Sequence, residues 1–298
     1  MPFLPTSVRS RVVVVVTWLN LLAQMGIVAT GGLVRLTASG LGCPTWPKCT
    51  EESFVSTPEM GIHGLIEFGN RLLTFVVLAI VIAQLVVLWK SRRERRDLWW
   101  LSVALFAGVP AQAVIGGISV WTQLNPYVVG LHFIVSAAMV ATASVLLARV
   151  RDLGERPKLR GVPILSWAIA MTTAVVLVLG VLTTGSGPHA GDADAPRNGL
   201  DGGLLQHFHA WPAYASVALI LVALLQTSGL ARRSWVRVLA AYLAQIVVGI
   251  TQARTGLPVE LVGIHIVLSM VITATVTLAI YRSATSGSSA TATKSNVK

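Results

Sequence analysis

Charge is scarce in this chain. Asp, Glu, Lys and Arg make up 12% of its 298 residues, against about 25% in an ordinary soluble domain. Hydrophobic residues make up 54% and the mean hydropathy is +0.72, so one aqueous core cannot hide the apolar surface. Acid is scarcer than base, with 12 Asp and Glu against 23 Lys and Arg. The only two cysteines, Cys43 and Cys49, are weak evidence for a metal site. Histidine is also sparse, at six, and its placement therefore carries weight.

What the chain has in quantity is long apolar runs, at about 12–33, 61–89, 98–120, 126–148, 161–184, 204–230, 235–253 and 259–281. A bilayer core takes roughly 20 helical residues. The runs predict an all-α integral membrane protein of eight transmembrane helices, the seventh the shortest and starting near Trp235. The first run is span-length and lacks a small-residue cleavage site, so no cleavable signal peptide is expected. With an even number of spans both termini share one side. The segments 1–11, 90–97, 149–160, 231–237 and 282–298 share it with them and hold 18 of the 23 Lys and Arg. Positive charge marks the cytoplasmic side, which puts both termini inside a bacterial-type cell membrane. The net charge of +11 then reports topology and not nucleic-acid binding.

The chain repeats. Gln112 and Gln245 each precede a histidine by 20 residues, His132 and His265, and every matched position is offset by 133. A looser echo joins Thr30-Gly-Gly in the first span to Thr184-Gly-Ser-Gly in the fifth. The expected organisation is two pseudo-symmetric four-helix bundles, 1–150 and 151–282, with the polar linker at 149–161 and a disordered cytoplasmic tail at 283–298. Both halves begin inside, as in a parallel repeat about the membrane normal. Thr57-Pro58-Glu59 reads as an N-cap, a first-turn proline and an early acid. Asn125-Pro126 does the same for the fourth span.

His63, His132, His209 and His265 all fall on even-numbered spans, close behind the expected helix starts at Pro58, Pro126, Asp201 and Pro258. At ~1.5 Å per residue each is expected roughly 10 Å below its start, in the outer half of the bilayer. Intramembrane ionisable residues mark function by default, and facing helices can supply paired axial ligands to haem iron. The expectation is two sites, one per bundle, each ligated by a pair of these histidines. His207 points ~200° away from His209 on a helix and reads as a helix-interface or loop-capping residue. His189 sits in a Gly/Asp-rich loop and reads as solvent- or propionate-facing, ahead of a metal ligand with Asp192 and Asp194. Glu67 and Arg71, four apart, can pair on one face; His63, Glu67 and Asn70 form one stripe. The pair either makes burial tolerable or sets a carboxylate beside a cofactor for proton transfer or charge stabilisation. Cys43 and Cys49 suit a structural disulfide or an exchange-prone one.

Several strings together resemble the haem A synthase family. They are Ser39-Gly-Leu-Gly-Cys-Pro-Thr-Trp-Pro47 with Cys49, Ile66-Glu-Phe-Gly-Asn-Arg71, and Gly116-Gly-Ile-Ser-Val leading to Leu124-Asn-Pro and His132. Thr184-Gly-Ser-Gly-Pro-His-Ala-Gly-Asp192, Gln206-His-Phe-His-Ala210 and Thr255-Gly-Leu-Pro before His265 complete the set. The resemblance implies an oxidoreductase that oxidises a methyl substituent of haem O to the formyl of haem A, for cytochrome oxidase biogenesis. It implies a haem O substrate site in the N-terminal bundle and haem B in the C-terminal bundle. His132, His209 and His265 match the family's iron ligands, Glu67 its essential acid, and Cys43 with Cys49 a pair implicated in redox exchange or haem delivery. Arg35, Arg197 and Arg254 are candidates for the propionates or for lipid phosphates. Many relatives have histidine where this chain has Asn70, a poor iron ligand; the expectation is that His63 replaces it, the alternative being that the N-terminal site has only His132 and an open iron face, which suits oxidation chemistry. The resemblance admits a complex with the farnesyltransferase that makes haem O, and a homo-oligomer.

Two other function classes compete. A non-enzymatic di-haem electron-transfer cytochrome needs the same histidines but no neighbouring acid. A transporter suits eight spans in two repeats, but predicts no stoichiometric haem and broken midplane helices.

Overall fold

The computed structural model describes residues 7, 8, 10–151 and 162–295, with side chains through Thr285. Eight helices follow in order: α1 (Arg11–Leu36), α2 (Gly61–Leu88), α3 (Arg96–Trp121), α4 (Pro126–Arg151), α5 (Ile164–Ser186), α6 (Gly202–Gln226), α7 (Gly229–Arg254) and α8 (Val259–Ser295). No strand occurs among the described residues. All eight helices have the length and apolar composition to cross a membrane; this is an all-α, multi-pass membrane protein.

Helix ends follow local chemistry. The Ser10 hydroxyl accepts from the Val13 N–H, and the Asp201 carboxylate from the Leu204 N–H, satisfying amides that a first turn leaves without partners. Asn125 accepts from the Tyr127 N–H ahead of α4. Thr57 differs from expectation. It makes no side-chain cap bond, and Pro58–Met60 form a 3-10 turn. Gly61, with φ +57°, then bends the chain, and the α-helix proper begins there.

The seventh span begins at Gly229 and not near Trp235. Arg232 and Arg233 break the apolar run, which hid this first turn and a half in the sequence. The helix is anchored there because Trp235 is buried and donates to Ser283, while Ser234 accepts from Arg282. The linker expected at 149–161 starts within α4, and its remainder, 152–161, lies outside the described residues. Where a disordered tail is expected from Ser283, α8 continues to Ser295 in backbone; residues 296–298 lie outside the described residues.

Helices α1 to α4 touch in a closed ring, α1–α2–α3–α4–α1, and α5 to α8 do the same. In each ring the second and fourth helices stand diagonally. The halves meet where α8 packs on α1 and α4, and α5 on α4. One apolar core fills the first ring and takes in Met270 and Ala274 of α8; a second surrounds Ile169, Ile220, Trp235 and Tyr242. Outward-facing apolar side chains such as Phe75 and Trp100 are left for lipid to cover. The connections 37–57, 122–125, 187–201 and 255–258 all emerge at one end, called the loop end below.

Candidate functional site

The second bundle brings two of the expected ligands together. His209 on α6 and His265 on α8, diagonal partners, have ring centroids 6.1 Å apart with planes at 66°. Each ring stands opposite a glycine on a neighbouring helix. A Cβ at Gly180 of α5 would lie 2.9 Å from His209 Cε1, and one at Gly249 of α7 would lie 3.2 Å from His265 Cε1. Carbon atoms settle at about 3.5–4 Å, so the first approach requires glycine, while at the second an added carbon would push the His265 ring back by a few tenths of an ångström. His209 Nδ1 bonds the Val176 carbonyl at 2.9 Å, which makes Nδ1 the protonated nitrogen and leaves Nε2 as a lone-pair donor. The His265 backbone carbonyl accepts from Gln245 Nε2 at 3.0 Å, and its buried Nδ1 has no hydrogen-bond partner.

These residues fit haem. Metal–imidazole bonds of ~2 Å on both sides, plus ~1 Å from each nitrogen to its ring centre, set two axial imidazole centroids ~6 Å apart. The observed 6.1 Å matches that spacing. Among the described residues no three His, Cys, Asp or Glu side chains converge as a metal cluster.

The first bundle repeats half of this arrangement. The His132 carbonyl on α4 accepts from Gln112 Nε2 of α3 at 2.9 Å. A Cβ at Gly116 would lie 3.4 Å from His132 Cε1, and His132 Nδ1 is buried without a partner. Each of these features recurs 133 residues later at Gln245, Gly249 and His265. The diagonal helix α2 differs. Its stripe of His63, Glu67 and Asn70 turns towards α1 and the loop after it. His63 Nδ1 bonds Ser39 Oγ at 2.9 Å, Glu67 Oε2 accepts the Cys43 N–H at 2.6 Å, and Asn70 Oδ1 accepts the Thr30 hydroxyl at 2.7 Å. His63 is the third residue of α2, whereas His132 and His265 are seventh and His209 eighth in their helices. His63 is exposed and has no ring contact with His132.

Glu67 and Arg71 make an ion pair of 2.5 Å. The same guanidinium donates to the carbonyls of Cys43, Thr45 and Lys48 at 3.0–3.1 Å. The pair therefore clamps the loop closed by the Cys43–Cys49 disulfide. From that loop Trp46 lies on Gly117, where a Cβ would be 2.3 Å from Trp46 Cδ2, and meets Trp121 edge-on. Gly117 adjoins the glycine opposite His132, so this loop covers the first bundle at the loop end.

Over the second half, His189 bonds the Leu257 carbonyl, and its own carbonyl accepts from Arg35 Nε at 2.5 Å. Arg35 also holds the Thr184 carbonyl, and Arg197 those of Pro188 and Ala195. These two arginines are thus engaged with backbone, whereas Arg254 is exposed. Asp192 accepts from the Asp194 N–H and forms no metal cluster with His189. His207 is exposed. Sequence reading missed Gly116, Gly180 and Gly249 as ring-facing positions, and the Thr30–Asn70 bond. A glycine four residues after each repeated glutamine was the available signal for two of them.

The family model described as "Cytochrome oxidase assembly protein" matches residues 14–277. A protein of Staphylococcus epidermidis named Heme A synthase is 25% identical over 272 residues, covering 85% of this chain and 88% of its own. One of Bacillus licheniformis with the same name is 24% identical over 252 residues, covering 80% and 82%. Another, of Bacillus pumilus, reaches 35% identity over 139 residues, covering 45% and 41%.

Proposed function

This chain belongs to the family of cytochrome oxidase assembly proteins, and from that membership we propose that it is a haem A synthase. It acts as an oxidoreductase that converts the methyl substituent of haem O to the formyl of haem A by successive oxidations. The observation that carries the reading is the His209–His265 pair, with rings 6.1 Å apart on diagonal helices, inside a chain whose relatives carry the name Heme A synthase over most of their length.

In this reading the second bundle holds haem B, which supplies a one-electron relay. His209 and His265 bind it; the Val176 carbonyl orients His209, and Gly180 and Gly249 make room for the two rings. The first bundle takes haem O as substrate. His132 positions it, Gln112 steadies the backbone of that ligand, and Trp46 with the clamped loop excludes water from above. Glu67 is the acidic group, held in place by Arg71 and the Cys43 N–H, and acts on charge or protons as the methyl group is oxidised. The bundle boundaries are those of 1–150 and 151–282, with both termini cytoplasmic and the histidines in the outer half of the bilayer. The farnesyltransferase that makes haem O is the upstream partner, and lipid surrounds the bundles. A symmetric electron-transfer cytochrome is disfavoured by the unlike residues on α2 and α6.

Complementation tests this reading. In cells that make haem O but lack haem A synthase, the chain should restore a-type cytochrome oxidase absorbance. His265→Ala should abolish the restoration while the protein remains in the membrane. Absorbance that stays absent with the intact chain, in cells where a known relative restores it, refutes the proposal.

A further inference from the structure

Two arginines come together over the second half with no acid to answer them. Arg35 lies in the last turn of α1, in the first half, and reaches across the junction: its Nε donates to the His189 carbonyl and its Nη2 to the Thr184 carbonyl. Arg197 donates from Nη2 to the carbonyl of Pro188, the residue before His189. The two guanidinium groups are close enough to repel each other. Among the described residues neither forms an ion pair. Acids of the same loop are turned elsewhere: Asp192 accepts the Asp194 N–H and Asp201 caps α6. Arg35 is mostly buried. Its third nitrogen, Nη1, makes no hydrogen bond among the described residues, yet it is not sealed in. Like charges held together away from water are costly unless an anion joins them.

The surroundings of the pair say which anion. Thr184, whose carbonyl Arg35 holds, sends its hydroxyl to the Gly180 carbonyl, and Gly180 is the glycine opposite the His209 ring. The guanidinium therefore stands about one helical turn, ~6 Å, towards the loop end from that ring. His189 in turn bonds the Leu257 carbonyl, just ahead of α8, the helix that carries His265. A haem between His209 and His265 carries two propionates on one edge, and their carboxylates cannot end in hydrocarbon. The loop end is the nearer way out, since His209 and His265 are eighth and seventh in helices of 25 and 37 residues.

We infer that Arg35, with Arg197 beside it, is a carboxylate site that receives a propionate of the haem held between His209 and His265. An arginine of the first half would then help to hold the cofactor of the second. This inference rests on the proposed haem reading and deepens it.

The test uses the full chain, prepared in detergent from haem-depleted cells and titrated with haem B or with its dimethyl ester, in which both carboxylates are capped. The low-spin spectrum that His265→Ala abolishes reports the haem in question. The quantity read is the ratio of the two affinities. Arg35→Ala loosens the loop as well, but loosening weakens haem and ester alike and leaves the ratio unmoved. Loss of a charge-assisted bond should lower the preference for haem over ester about tenfold or more in Arg35→Ala. The more exposed Arg197 should contribute roughly two- to fivefold, Arg35→Lys should keep part of the preference, and Arg254→Ala should leave it intact. An equal ratio in the unaltered protein and in Arg35→Ala overturns the inference. So does an Arg35→Ala protein that loses only copurifying phospholipid, which would make the pair a lipid-phosphate site. Should Arg35→Ala not reach the membrane, Arg35→Lys and Arg197→Ala decide, and an unchanged ratio in both overturns it. Absence of any low-spin spectrum that depends on His265 refutes the haem reading itself, and takes the inference with it.

Discussion

Replacing Gly180 with alanine places one methyl group against a proposed ligand. The added carbon would stand 2.9 Å from His209 Cε1 and 3.2 Å from Nδ1, where contact distances of about 3.5–4 Å are normal. The ring must move by ~0.6 Å or more, and it is already tied to the Val176 carbonyl at 2.9 Å. Either that bond lengthens or the ring swings away from His265. Losing an outer hydrogen bond of this kind costs about 10- to 100-fold in metal affinity, or roughly 1.4–2.7 kcal/mol at 1.36 kcal/mol per tenfold. The assay is haem stoichiometry by pyridine haemochrome on the purified variant, with low-temperature EPR of the low-spin signal. The geometry also predicts a graded series: Gly180→Ala most damaging, Gly249→Ala milder at 3.2 Å, Gly116→Ala near neutral at 3.4 Å, and Gly26→Ala silent with nothing within 4 Å. Full haem content and an unshifted EPR signal in Gly180→Ala refute the assignment of His209 as a ligand facing Gly180.

Glu67→Gln leaves the Arg71 guanidinium without its carboxylate. Breaking a buried pair costs about 3–5 kcal/mol, and the lower end applies because Arg71 keeps three carbonyls; haem A yield should fall sharply and the 43–49 loop should become protease-sensitive, whereas full turnover would remove Glu67 from the chemistry. Gln245→Leu deletes one bond to the His265 carbonyl, so thermal stability should drop by about 1 kcal/mol with the EPR ligand signature unchanged. Arg35→Ala frees the carbonyls of His189 and Thr184; limited proteolysis should show faster cleavage within 187–198, and an unchanged cleavage rate would show that the loop is held by other bonds.

The fold was largely legible in the sequence because hydrocarbon thickness sets span length and apolar runs report it directly. The offset of 133 between Gln112–His132 and Gln245–His265 foretold matching environments, and the structure gives both pairs the same bond. Helix starts were less legible. Arg232 and Arg233 hid the opening turns of α7, and the 3-10 turn at Pro58–Met60 moved the start of α2 proper to Gly61. Contacts between distant segments leave no periodic trace. Glu67 on Cys43, Trp46 on Gly117, Arg35 on His189 and Thr30 on Asn70 all join a helix to a segment whose approach only the folded chain defines. The stripe of His63, Glu67 and Asn70 was correctly read as one face, but what that face touches was not in its spacing.

The most direct measurement is chromatographic mass analysis of haems extracted from cells that make haem O, with and without this chain. Haem A appearing only when the chain is present, with haem O reduced in step, is the predicted result. Unchanged haem O beside a folded protein that copurifies with haem B in both bundles would contradict the account and make the molecule an electron-transfer cytochrome.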